Sequence, residues 1–339
     1  MHTKHLLLLG LLLSVGGCAK ELPLHEERFV SLGTEYQLSL YGLEQKRAQE
    51  ISRQVQEDLK FMDYAWHPWK PGPMGRINQL LASGEEFSAN PSVLPLIIQA
   101  KQLYTSSHGL FNPATGELSQ MWGFHSDVRS HSAPPDKAKL DDYLRKLPTM
   151  DDIEINGIRI RGHNPRLKLD FDAYVRGYAM QQILSRLQQQ GISDASLKTD
   201  GSIKVLGQSG TRPWSVSIHS PVQHEALGSI ELQDGESLFT AQGEHILDPR
   251  SGRPATTLVS ALVIHADAAI ADAAAHAIFV AGPEQWWQIA RAMGVHYVLL
   301  VDNKGQIYMN PEMAERVEFA LPLAPSPISG PRLNDQSAK

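Results

Sequence analysis

Apolar positions along the chain switch between two spacings. Ile51, Val55, Leu59 and Met62 recur every three to four residues, which predicts a helix over Leu43–Trp66 with one buried face. Asn90-Pro91 supplies start signals for a helix over Pro91–Ser107, which His108-Gly109 ends. Tyr174, Tyr178, Ile183, Leu184 and Leu187 share one side of a helix over Asp172–Gln190, stopped by Gly191. Arg28–Tyr41 alternates as one strand with Gly33-Thr34 inside it. Further strands are predicted at Ala195–Val205, Trp214–Ser220, Leu227–Gln233, Leu258–His265 and His296–Val301. Asn156-Gly157 is a hairpin signal within Ile153–Leu169, and Asn303-Lys304-Gly305 is a turn. Trp66–Pro73 holds three prolines and predicts a loop with two aromatics able to be exposed. Strands and helices mix along the chain, so the expected class is α+β: a substantial sheet with helices packed on it, in a single large domain of two intimate lobes.

The densest chemistry lies between Gly243 and Glu284. His245-Ile246-Leu247-Asp248-Pro249 enters the turn Arg250-Ser251-Gly252-Arg253-Pro254. The apolar strand Leu258–His265 follows, then a helix over Ala268–Ala281 closed by Gly282-Pro283, with another helix over Glu284–Met293. Asp272 and His276 are four apart and project from one face. A carboxylate and an imidazole so placed can share a ligand or a cation. The plainer alternative is a hydrogen bond on the helix surface.

Composition narrows the class. The chain is 42% hydrophobic and 20% charged, which is ordinary for a globular protein, and its net charge of -6 argues against a nucleic-acid surface. Leu6–Val15 is an apolar run too short to span a bilayer and reads as the core of a signal peptide. Val15-Gly16-Gly17-Cys18 resembles the cleavage box of bacterial lipoproteins, in which the Cys receives lipid; an ordinary signal peptide with an incidental Cys is the alternative. Cys18 is the only Cys, so no intrachain disulfide can form. The expected layout is a leader over 1–17, a linker over 18–27 after lipidated Cys18, one domain over 28–320, and a Pro-rich disordered tail over 321–339. The expected location is a bacterial membrane, facing the periplasm, with inner or outer membrane left open.

Six motifs in order resemble the ApbE family of FAD:protein FMN transferases. They are Leu32-Gly33-Thr34; Arg76-Ile77-Asn78; Gly109-Leu110-Phe111-Asn112-Pro113-Ala114-Thr115-Gly116 with Trp122-Gly123-Phe124; Leu169-Asp170 with Gly177-Tyr178; His245-Ile246-Leu247-Asp248-Pro249-Arg250-Ser251-Gly252; and Ala271-Asp272 to Gly282. The resemblance implies an ApbE-like (T-fold-like) mixed sheet. It implies transfer of FMN from FAD to a Ser or Thr of an acceptor protein, with release of AMP and dependence on magnesium or manganese. It places Leu32, Leu110, Phe111, Asn112, Asp170, Arg176 and Leu247 against the flavin nucleotide. The cation falls to the Ala173 carbonyl, Asp272 and position 276, and the general base to His245. A homodimer is compatible with it.

Several positions depart from the family pattern. Asp172 stands for Gly or Ser, Arg176 for Lys, His276 for Thr, Lys198 for Asn, and Asp200-Gly201-Ser202 for a Gly-Gly-Asp turn. The hairpin before His245 is shortened, and the loop after Trp66 lacks a Ser-Glu pair found in many members. His at 276 favours manganese or zinc over magnesium, or no metal. Two alternatives therefore accompany the transferase: a lipid-anchored flavin-binding protein without transfer, and a pyrophosphatase that cleaves FAD to FMN and AMP. An unrelated solute-binding lipoprotein would bind a non-flavin molecule and be indifferent to divalent metal.

Overall fold

The computed structural model describes residues 22–124, 134–219, 221–222, 226–320 and 326–333. The expected leader and Cys18 lie outside them. The centre is a nine-stranded sheet. Its spatial order is Leu24–Ser31, Thr34–Tyr41, Ala195–Thr199, Ser202–Leu206, Ser237–Gln242, Leu258–His265, Tyr297–Asp302, Ile307–Met309 and Ile328–Ser329. Neighbours are antiparallel except the last pair.

Both faces of the sheet's central strands are buried, which explains the unbroken apolar run at Leu258–His265. Ala261, Val263, Val298, Leu300 and Phe239 point to the helical side. Leu262, Ile264, Leu299, Val301 and Leu238 point the other way, onto a three-stranded sheet of Trp214–His219, Ala226–Leu232 and Val317–Phe319. A third small cluster, Leu118, Trp122, Leu140 and Tyr143, lies apart from these cores.

On the helical side lie α1 (Gln45–Trp66), α2 (Pro73–Ser83), α3 (Leu94–Ser106), α6 (Val175–Gln189), α7 (Ala268–Ala281) and α8 (Trp286–Ala292), while α4 (Gly116–Met121) and α5 (Lys137–Leu144) carry the third cluster. α7 is buried nearly all round and rich in Ala, which lets it sit against the sheet and α6 together. Among the described residues no helix is long and apolar enough to cross a membrane.

Four expectations change. Arg28–Tyr41 is not one strand: Leu32 (φ 48°) and Gly33 (φ 74°) both take left-handed backbone and fold Leu24–Tyr41 into a hairpin. Its first strand starts at Leu24, inside the expected linker. Ala195–Val205 is likewise two strands turned at Asp200-Gly201. Pro73 opens α2 and does not prolong the loop, and Trp66 is buried with its Nε1–H on the Ser92 carbonyl at 2.8 Å. The tail is ordered over 326–333: Ile328 pairs beside Tyr308, and Leu333 is buried.

Candidate functional site

Two segments distant in sequence are zipped together. Gly116 N–H donates to the Lys168 carbonyl at 2.7 Å, and Asp170 N–H to Pro113 at 2.8 Å. Asn78 locks this seam from α2: its Oδ1 accepts from Leu169 N–H at 2.7 Å and its Nδ2 donates to the Leu169 carbonyl at 3.0 Å. Asn78 is buried, so losing the amide would strand two main-chain groups, at a cost of about 1–3 kcal/mol each. Asp170, next in the chain, is thereby fixed. Its Oδ1 accepts from Asp172 N–H at 3.2 Å, and burial, reinforced by the Asp172 charge, raises its pKa from 3.8 to about 6. Beside it, Lys168 Nζ lies 4.3 Å from the Trp69 ring centre and donates to Gln120 at 2.9 Å.

Leu110 and Phe111 are buried core residues, and their N–H groups go to the Ser107 carbonyl and Oγ. What these positions can offer a ligand is therefore their carbonyls. The Asn112 amide also has local partners: Nδ2 donates to Pro148 at 3.0 Å and Oδ1 accepts from Ala114 N–H at 3.2 Å. Leu32 stands at the hairpin turn, its N–H on Asp63 Oδ1 at 3.1 Å.

A second group forms where α6 meets α7. Gly177 N–H donates to Asp272 Oδ2 at 2.9 Å, and a Cβ on Gly177 would stand 2.2 Å from the Ala268 carbonyl oxygen. Only glycine permits this approach. The helical ladder of α6 starts at the Tyr174 carbonyl, so the Ala173 carbonyl stands outside it. His276 Nδ1 is 2.9 Å from the Asp272 carbonyl and 3.5 Å from Asp272 Oδ1. Both are acceptors, so Nδ1 carries the proton and Nε2 is the nitrogen able to ligate. Arg176 Nη1 meets Asp172 Oδ1 at 3.2 Å. Burial disfavours the guanidinium charge, but Asp172 and Asp272 outweigh it and raise the Arg176 pKa. Tyr36, fully buried and without a partner for its hydroxyl, is subject to the charges of Arg176, Asp272 and Asp172. Among the described residues no three His, Cys, Asp or Glu side chains are placed to share a cation.

The third group is the loop after Ser237–Gln242, the strand across which α7 packs. That strand, absent from the sequence expectations, runs directly into exposed His245. Leu247–Asp248 pairs with Arg253–Pro254, and Leu247 packs on the third apolar cluster. Asp248 holds the turn: it accepts from Arg250 N–H at 2.9 Å and from Nε and Nη2 of the same residue. Trp122 Nε1–H donates to the Gly252 carbonyl at 2.8 Å, and Phe124 meets the His245 ring edge-on at 6.2 Å. Lys198, on the strand Ala195–Thr199 two places from Ser237–Gln242, and Asp200 in the turn that follows it are both exposed. A cleft of about 940 Å³ at the small sheet holds none of these residues.

Asn78, Tyr36 and Phe124 bear on these groups, yet none is among the expected site residues. Asn78 and Phe124 stand in quoted motifs, whereas Tyr36 carries no signal beyond a strand position.

A model of the ApbE family matches residues 32–299. A FAD:protein FMN transferase of Rhodobacter capsulatus is 35% identical over 319 residues, 89% of this chain; the chain spans 60% of that relative's length. One from Klebsiella pneumoniae is 25% identical over 302 residues, covering 83% of this chain and 86% of that protein. The ApbE protein of Thermotoga maritima superposes with a TM-score of 0.78 at 23% identity, over 87% of this chain and 100% of that one. The flavin transferase ApbE of Vibrio cholerae does so with a TM-score of 0.78 at 22% identity and the same coverage. The fold is therefore the ApbE fold, and by the family match over most of its length this chain belongs to the ApbE family.

Proposed function

We propose that this protein is a FAD:protein FMN transferase, lipid-anchored through Cys18 and facing the periplasm. What supports the reading is that Trp122 and Phe124, which follow the helix zipped to the Asp170 segment, reach Gly252 and His245, that Gly177 holds Asp272 across α6 and α7, and that related proteins carry this activity by name.

In this reaction His245 takes the proton of an acceptor Ser or Thr hydroxyl. The oxygen attacks the FMN-side phosphorus of FAD, a new P–O bond forms, and the bond to the AMP oxygen breaks. AMP leaves with the electron pair, and the imidazolium returns its proton to solvent or to AMP. Asp170, the carbonyls of Leu110 and Phe111, and Leu32 and Leu247 line the nucleotide, while Arg176 brings positive charge to its phosphates.

A divalent cation fits the α6–α7 junction in one respect. Asp272 is a buried carboxylate whose Oδ1 is beyond hydrogen-bond length from His276, and the Ala173 carbonyl stands outside its helix. Magnesium commonly takes one or two carboxylates and completes its shell with water and phosphate oxygens. Asp272 and Ala173 would hold it, with His276 offering Nε2 to manganese. When bound, the cation neutralises charge on the pyrophosphate.

The test is direct. The full chain in detergent is mixed with FAD, magnesium or manganese, and an acceptor domain carrying the Ser/Thr target, and the acceptor's mass is read. A covalent FMN adduct that chelator prevents is expected, with His245→Ala binding FAD but forming no adduct. FAD binding without adduct would instead mean a flavin-binding protein. Release of FMN and AMP alone would mean a pyrophosphatase.

A further inference from the structure

α4 closes in a Schellman turn. Gly123 takes φ 73°, its N–H donates to the Gln120 carbonyl at 3.0 Å, and Phe124 N–H donates to Ser119 at 2.9 Å. The left-handed backbone at Gly123 reverses the chain, so the Trp122 and Phe124 rings stack with centroids 6.1 Å apart and planes 21° apart. Trp122 is buried and holds the Gly252 carbonyl. Phe124 is 39% exposed and meets the His245 imidazole edge-on, at 77° between planes. Gly243 approaches the same imidazole: it has φ 109°, and a Cβ there would lie 2.6 Å from His245 Cε1. One three-residue segment thus spans both ends of the His245–Gly252 motif. It grips the main chain at one end and the imidazole at the other.

Core packing alone would favour a buried aromatic at 124, because exposing that much ring forfeits hydrophobic stabilisation. The ring instead leans on an exposed imidazole. We propose that Phe124 is a positioning residue: aimed by the Gly123 turn, it holds the His245 ring in the orientation that receives the acceptor hydroxyl's proton. This rests on the reading of His245 as the base. Losing that ring would open a gap beside the imidazole into which it could turn, and only some orientations point a nitrogen at the incoming hydroxyl. Misplacing a reacting group by about 1 Å can cost on the order of 100-fold in rate.

The test compares Phe124→Leu, Phe124→Tyr and His245→Ala in the full chain. It reads the transfer rate at saturating FAD and acceptor, the FAD Kd by flavin fluorescence, and the thermal midpoint. Phe124→Leu is expected to lower the rate about tenfold or more while FAD Kd stays within about twofold, and Phe124→Tyr to restore it to within about threefold of wild type. A Leu variant at the wild-type rate, with His245→Ala inactive, would overturn the proposal. So would a parallel loss of rate, FAD affinity and thermal midpoint that Tyr does not rescue, because that marks a purely structural side chain. If His245→Ala itself transfers at the wild-type rate, the base assignment fails, and this inference fails with it.

Discussion

At Asp170 two effects push the same way. Burial and the nearby Asp172 charge both favour the protonated acid, which raises its pKa to about 6. The folded state therefore binds this proton more tightly than the unfolded chain does. Its contribution to stability is full below the ordinary value of 3.8 and is lost as pH rises through about 6. Asp170→Asn keeps an acceptor for Asp172 N–H and removes the titration. Urea midpoints taken from pH 4 to pH 7 should show the variant gaining on wild type across that interval and levelling off above it. A pH-independent difference would mean the carboxyl is not perturbed in the fold. At this scale the sequence marked Asp170 but not its environment, because the burial comes from a seam with residues 113–116 and from an amide on α2. Leu110 and Phe111 show the converse: their motif is legible, but the loss of their N–H groups to Ser107 is a matter of local geometry.

Between elements, the contact of α6 with α7 sets the position of Asp272. Helix propensity alone would favour Ala over Gly at position 177 by about 0.5–1 kcal/mol. The added Cβ would instead stand 2.2 Å from the Ala268 carbonyl and 2.7 Å from Asp272 Cβ, and overpacking of this kind costs about 1–3 kcal/mol. The clash is main chain on one side, so no rotamer relieves it, and the clash should win. Gly177→Ala is expected to lower the urea midpoint; a variant as stable as wild type would show that the two helices part at little cost. The helices themselves were readable from periodicity, as α1 and α7 show to within two residues. Asn156-Gly157 likewise marked the hairpin that joins Ile153–Asn156 to Arg159–Gly162, but the hairpin at Leu32-Gly33 was not legible. Leu32 is a non-glycine residue in left-handed backbone, so its turn carries only one of the two signals that a two-residue hairpin usually writes into sequence. The strand Ser237–Gln242 was hidden in a short polar-flanked run whose two-faced burial appears only once its neighbours are in place.

For the whole molecule, the short distance from Cys18 to the first strand has a consequence for location. Leu24 follows Cys18 by six positions, a reach of at most roughly 20 Å even at full extension. A lipid on Cys18 would keep the domain close to the bilayer. Cys18→Ser is expected to move the protein from the membrane fraction to the soluble fraction without altering FAD affinity. Retention of the variant in membranes would remove the lipid-anchor reading.

The order of strands also constrains when this fold can come into being. Gln37 on the N-terminal hairpin pairs with Lys198, and the last strand of the sheet is Ile328–Ser329. The N-terminal hairpin cannot join the sheet until Ala195–Thr199 has emerged, and such non-local pairing is slow to form. A growing chain would hold its N-terminal hairpin without that partner until Ala195–Thr199 has emerged. That delay is a hazard for a protein that folds where it is made, but it favours one that must cross a membrane as an unfolded thread before its sheet can form.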